Sequence, residues 1–115
     1  MHQLARLEYT FIDCGANFGY WSILVSGKLL GAHPTLAIEA SHENCEILRE
    51  NCALNANRFA VLYAAISDTN GIPVQMEVRG GHASAHIRSG DVRGLSVPVV
   101  LTSTLDEVIH NHFGD

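Results

Sequence analysis

Two carboxylates and two glycines are the residues of this chain whose types and spacing could do chemistry. Asp13 closes a short apolar run (Thr10, Phe11, Ile12), and Gly15 and Gly19 follow it at two and six positions. Glycines there let the backbone turn sharply and approach a ligand where a Cβ would clash. A helix starting just beyond them presents amides that favour an anionic group such as a carboxylate or phosphate. Glu39 ends a second apolar run, residues 35–38, and lies 26 positions after Asp13. In strand-turn-helix units of this kind, an acidic side chain about 20 residues past the glycine turn accepts hydrogen bonds from ribose hydroxyls. The pair predicts a site for a nucleotide-like cofactor. A dinucleotide fingerprint reads G-x-G-x-x-G, whereas this run is D-x-G-x-x-x-G and lacks the middle glycine.

The sulfur and imidazole side chains point to no second centre. Cys14 lies inside the glycine loop, and Cys45 and Cys52 sit seven apart further on. An odd count with no close pair suggests reduced thiols in a cytoplasmic setting. No histidine partner is suggested for Cys14, which favours packing beside the cofactor over nucleophilic catalysis. His82, His86, His110 and His112 are close in pairs, but no third ligand follows at a familiar spacing, so no metal is expected.

The elements that position these residues follow from the apolar pattern. Strands are expected at residues 10–13, 35–39 and 59–64, with helices between them. The second helix has Ser41 as N-cap and Glu43 and Glu46 near its positive end. Cys45, Leu48 and Cys52 give it an apolar face flanked by Ile47 and Leu54, and residues 55–57 stop it. Alternating strands and helices argue for a parallel sheet with right-handed crossovers. Residues 72–78 and 95–101 read as an antiparallel pair, with Pro73 and Pro98 suggesting edge positions. Between them, residues 80–86 form a loop of small residues with a serine.

These residues resemble the first motif of class I S-adenosylmethionine (AdoMet) methyltransferases, in which the glycine loop passes under the methionine part of the cofactor. More narrowly, the chain is similar to the FkbM-type methyltransferases. The matching residues are the run from Ile12 to Ser22, the acidic strand end and helix from Glu39 to Asn55, and Leu48, Asn51, Leu54 and Asn55 within that helix. Ala65-Ile66-Ser67-Asp68 and Thr104-Leu105-Asp106-Glu107 match as well. Ala40-Ser41 departs from the proline and polar residue usual in that family. The resemblance spans Tyr9 to Ile109 and implies AdoMet as cofactor. It implies contacts from Asp13, Gly15, Ala16, Asn17, Gly19, Tyr20, Glu39, Ala40 and Ser67. The reaction it implies is in-line methyl transfer to a hydroxyl of a small molecule or glycan. Trp21, beside Tyr20, either places an aromatic face near the sulfonium or packs between helix and sheet.

The fold class expected is therefore α/β: a partial Rossmann-like class I methyltransferase fold, a parallel sheet with flanking helices plus a β-hairpin addition. Relatives have a seven-stranded sheet, so residues 1–115 read as a single incomplete domain. Residues 9–68 form the AdoMet-binding unit, and residues 69–109 a hairpin extension and the start of the next helix. The catalytic base is expected beyond Asp115. At 115 residues and 47% hydrophobic, the composition suits a globular domain. A net charge of −5 leaves no electrostatic footprint for nucleic acid, and Arg79, Arg88 and Arg93 are scattered among glycines. No apolar run approaches a membrane span, and nothing at the start reads as a signal peptide. Two other readings stay open: a non-catalytic AdoMet-binding or interaction module, and an NAD-dependent oxidoreductase, which the missing glycine disfavours.

Overall fold

The computed structural model describes residues 7–78, 85–89 and 98–114, with 77–78 and 85–89 as backbone alone. Three parallel strands form its first sheet: β1 (Phe11–Cys14), β2 (Thr35–Glu39) and β3 (Ala60–Tyr63), in the order β1-β2-β3. Helix α1 (Tyr20–Ser26) connects β1 to β2, and α2 (His42–Leu54) connects β2 to β3. Each crossover needs a helix because parallel neighbours cannot be joined by a tight turn. The central strand is buried along its whole length, and its alternating side chains serve two cores. Ala37 packs with Ala16, Leu48, Cys52 and Phe59 under α1 and α2. Leu36 and Ile38 point the other way, to Ala64 and to Val108 of α3 (Leu105–Phe113). The result is a three-layer α/β arrangement.

Ala64 separates β3 from the two-residue strand β4 (Ala65–Ile66), which carries the chain into a second, four-stranded sheet. There β4 pairs in parallel with β7 (Val99–Ser103). β7 pairs antiparallel with β5 (Pro73–Val78), which in turn pairs antiparallel with β6 (Ala85–Ser89). Ala65, Val74 and Val100 are the buried centre of this part.

The expected antiparallel pairing of residues 72–78 with the later run is present, Pro73 to Gln75 taking register with Leu101 to Val99. A strand not expected from the sequence, β6, pairs with β5 as well, Val74 through Val78 taking register with Ser89 through Ala85. The later strand is described as Val99–Ser103, two residues past its expected end at 101, and it lies on the other side of β5 from β6. Pro73 is thus not on an edge strand. It is the first residue of an internal one, at a position that β6 does not reach, where its missing N–H interrupts no ladder. Residues 79–84 and 90–97 lie outside the described residues, and with them Arg79, His82, Ser84, Arg93 and most of the small-residue loop.

The helix starts follow the sequence closely. Ser41 caps α2, its hydroxyl accepting from the Asn44 amide at 3.4 Å. Thr104 caps α3, accepting from Glu107 N at 3.2 Å. The T-x-x-E spacing is that of a capping box, but the reciprocal bond is relayed. Asn70 Oδ1 accepts from Thr104 N at 2.7 Å while Asn70 Nδ2 donates to Glu107 Oε2 at 3.2 Å. Among the described residues, no helix is long and apolar enough to cross a membrane.

Candidate functional site

The loop from Cys14 to Gly19 leaves β1 through three left-handed positions, Gly15 (φ 72°), Asn17 (φ 55°) and Gly19 (φ 90°). Asparagine is among the few residues with a side chain that visit this region readily. The two glycines serve different ends. A Cβ on Gly15 would meet no protein atom within 4 Å, whereas one on Gly19 would lie 2.6 Å from Leu48 Cδ1. Gly15 therefore keeps open space open, and Gly19 lets the loop sit against α2.

Open space at Gly15 belongs to a cleft of about 230 Å³ at the carboxyl ends of β1, β2 and β3, where ligands bind in open α/β sheets. Cys14, Gly15 and Asn17 line it from the loop, Glu39 and Ala40 from the end of β2, and Asn44 from α2. Its apolar wall is Ile38, Ala64, Ala65, Ile66 and Met76. Met76 comes from β5, so the second sheet closes a site that the first sheet opens.

Glu39 organises this cleft. It is only 6% exposed. Its Oε1 accepts from the Asn17 amide and its Oε2 from the Ser41 amide, both at 2.8 Å. One carboxylate thus ties the glycine loop to the turn that starts α2. Asn44 Nδ2 adds a second tie, donating to Asn17 Oδ1 at 2.9 Å. Three more of the loop's amides are used within the chain. Gly15 N and Ala16 N both donate to Ile38 O at 2.9 Å, and Gly19 N donates to Ala16 O at 2.9 Å. The loop therefore does not offer these amides to an anion; the amides at the start of α1, where the sequence predicts an anionic group, are not among them.

Of the nine residues expected at the cofactor, Gly15, Asn17, Glu39 and Ala40 line the cleft. Asp13 is buried at the end of β1 and accepts from Ser22 Oγ of α1 at 2.8 Å. Ala16 is buried in the core between sheet and helices, and Gly19 packs against Leu48 as described. Tyr20 is 70% exposed and meets the Trp21 ring edge-on at 5.3 Å. Trp21 is itself 56% exposed, so it does not pack between helix and sheet. Ser67 follows β4, donating through its amide to Ser103 O at 3.0 Å and through its hydroxyl to Asp68 at 3.3 Å. Neither Asn44 nor Met76 was marked by sequence; Asn44 could have been, because it stands in the first turn after the strand-end acid.

The Cys14 thiol is pushed up, first by burial and then by the neighbouring Asp13 charge. A raised thiol stays protonated at neutral pH and is a poor nucleophile. All three cysteines are free. Among the described residues, no group of three or more His, Cys, Asp or Glu is placed to hold a metal.

No protein-family model and no curated protein matches the chain. Two solved structures are similar to part of it. One is a candidate transferase from Pyrococcus horikoshii, with 22% identity, 54% of this chain and 25% of that one covered, and a TM-score of 0.45. The other is P. horikoshii TYW2 in complex with MeSAdo, with 23% identity, 61% and 28% covered, and a TM-score of 0.49. The chain spans about a quarter of the length of these structures.

Proposed function

We propose that the cleft binds S-adenosylmethionine and that the chain is the cofactor-binding part of an FkbM-type O-methyltransferase acting on a hydroxyl of a small molecule or glycan in the cytoplasm. The observation that carries this reading is Glu39, a buried carboxylate at the carboxyl end of β2 and on the wall of the cleft. A carboxylate has about four acceptor directions, and two are used by the Asn17 and Ser41 amides. The remainder suit ribose hydroxyls. Gly15 leaves room for a ligand to lie against the backbone, and the apolar wall from Ile38 to Met76 suits a flat heterocycle. With the Gly15, Ala16, Asn17 and Gly19 amides spent internally and the middle glycine of the dinucleotide pattern missing, a cofactor without a pyrophosphate suits the site better than a dinucleotide.

When bound, AdoMet supplies an electrophilic methyl group for in-line displacement by the acceptor oxygen. The chain's own contribution is positioning, which supplies most of the acceleration in such a step. Residues 9–68 are the cofactor unit in this reading, and residues 69–109 the extension, from which Met76 walls the cleft.

A second reading, an AdoMet-binding module without turnover, draws on one specific observation. Among the described residues lining the cleft, only Cys14 and Glu39 can titrate. The thiol is held protonated and both Glu39 oxygens already accept amides, so neither is a free general base. Calorimetric titration with AdoMet and with NAD tests binding, and transfer of labelled methyl to hydroxylated acceptors tests turnover. The account expects AdoMet to bind and NAD not to. NAD binding without AdoMet binding would overturn it.

A further inference from the structure

Helix α2 meets the glycine loop at three positions spaced four and three residues apart, which places them on one face. Asn44 donates to the Asn17 side chain at 2.9 Å. Leu48, fully buried, fills the space that a Cβ on Gly19 would need. Asn51 Nδ2 donates to the Phe18 carbonyl oxygen at 2.7 Å. Each contact falls on a different residue of the segment 17–19, the stretch with two left-handed positions. Asn51 does not line the cleft and has no path to a ligand except through the loop.

We infer that Asn51 is a positioning residue: it holds the glycine loop, through Phe18, in the conformation that aims the Asn17 amide at Glu39 and keeps the Gly15 side of the cleft open. A left-handed asparagine costs conformational energy, and local opening follows wherever few contacts hold a segment. Asn17 is held from its own side by Glu39 and Asn44, and Gly19 is held by packing. Phe18, between them, is exposed and its ring anchors nothing in the core. Its carbonyl bond to Asn51 is the tether that closes the gap. The importance of this tether for ligand affinity rests on the AdoMet reading of the cleft; the tether itself does not.

The test separates the two. Amide hydrogen exchange at Asn17 in the ligand-free chain reads loop opening directly, and AdoMet titration reads its consequence. Asn51→Ala, and Asn51→Asp, which keeps the shape but lacks the donor, should each speed Asn17 exchange about three- to tenfold and weaken AdoMet by a similar factor. Arg58→Ala is the control. It removes a bond of the same kind, Arg58 to the Ile23 carbonyl oxygen at 3.2 Å, on the same side of the sheet but away from the loop. It should leave Asn17 exchange unchanged even where it lowers the melting temperature as much. Unchanged Asn17 exchange in both Asn51 variants, or an equal rise in Arg58→Ala, overturns the inference. If exchange responds as expected but the unaltered chain takes up no AdoMet, the tether stands and the cofactor reading falls.

Discussion

Glu39 shows how one side chain serves two purposes. Its oxygens accept two backbone amides, so Glu39→Gln must turn a side-chain NH₂ toward one of those donors. A buried donor left without a partner costs about 1–3 kcal/mol. We expect Glu39→Gln to lower stability by about that amount, and AdoMet affinity by about tenfold or more, as read by thermal unfolding and calorimetry on the same samples. The glycines divide these effects between them. Gly15→Ala meets no protein atom and bears only the left-handed penalty, about 1–2 kcal/mol. Gly19→Ala adds a collision with the fully buried Leu48, and overpacking adds about 1–3 kcal/mol. Gly15→Ala should therefore lose more binding than stability, and Gly19→Ala the reverse. Cys14 offers a chemical probe. Because burial and Asp13 raise its pKa, its alkylation by iodoacetamide should be slower at pH 7 than that of an unperturbed thiol, and should keep accelerating as pH rises past 9. Rapid alkylation at neutral pH would contradict this. At this scale the strand-end acid and the glycine turn were legible from sequence, because each residue type has few uses at such a position. The internal use of the loop amides was not, because it depends on how closely Ile38 and Glu39 approach the loop from another strand.

Elements differ in how far local chemistry determines them. Helix α2 was readable nearly to the residue: a serine cap, an acid in the first turn (Glu43), and Cys45, Leu48 and Cys52 on the buried face. Ile47 and Leu54, expected beside that face, are exposed, Leu54 at 82%. Strand β6 was not readable at all. Its five residues, Ala85 to Ser89, hold three basic or polar types and a single β-branched one, Ile87, and they stand as a strand paired with β5. Pairing with a neighbouring strand overrides weak propensity. The relayed cap on α3 likewise escapes a local reading, because Asn70 stands 34 positions before Thr104. Asn70→Ala should unsettle that helix start by about 1 kcal/mol, the usual worth of a cap. Circular dichroism and thermal unfolding would register it, and no change in either would mean that the Thr104 hydroxyl suffices alone.

For the whole molecule, the cleft owes its walls to two sheets. Loop, strand end and helix start come from the three-stranded sheet, and Ala65, Ile66 and Met76 come from the four-stranded one. The α/β class and the parallel order were legible from the alternation of strands and helices. The way β7 inserts between β4 and β5 was not, because a two-residue strand such as β4 carries no signal of its own. Apolar side chains stay exposed on both parts, among them Trp21, Val99 and Leu101. We therefore expect concentration-dependent association in light scattering and little or no methyl transfer by this chain alone, with brisk turnover by a monodisperse monomer as the contrary result. The central claim, that the cleft at the ends of β1 to β3 is an AdoMet site, is tested most directly by following backbone amide signals during an AdoMet titration. The account predicts saturable shifts concentrated at Cys14, Gly15, Asn17, Glu39, Ala40 and Ala64 to Ile66. Saturating AdoMet that leaves these signals in place, or that shifts only the opposite end of the sheet around Tyr9 and His33, would contradict it.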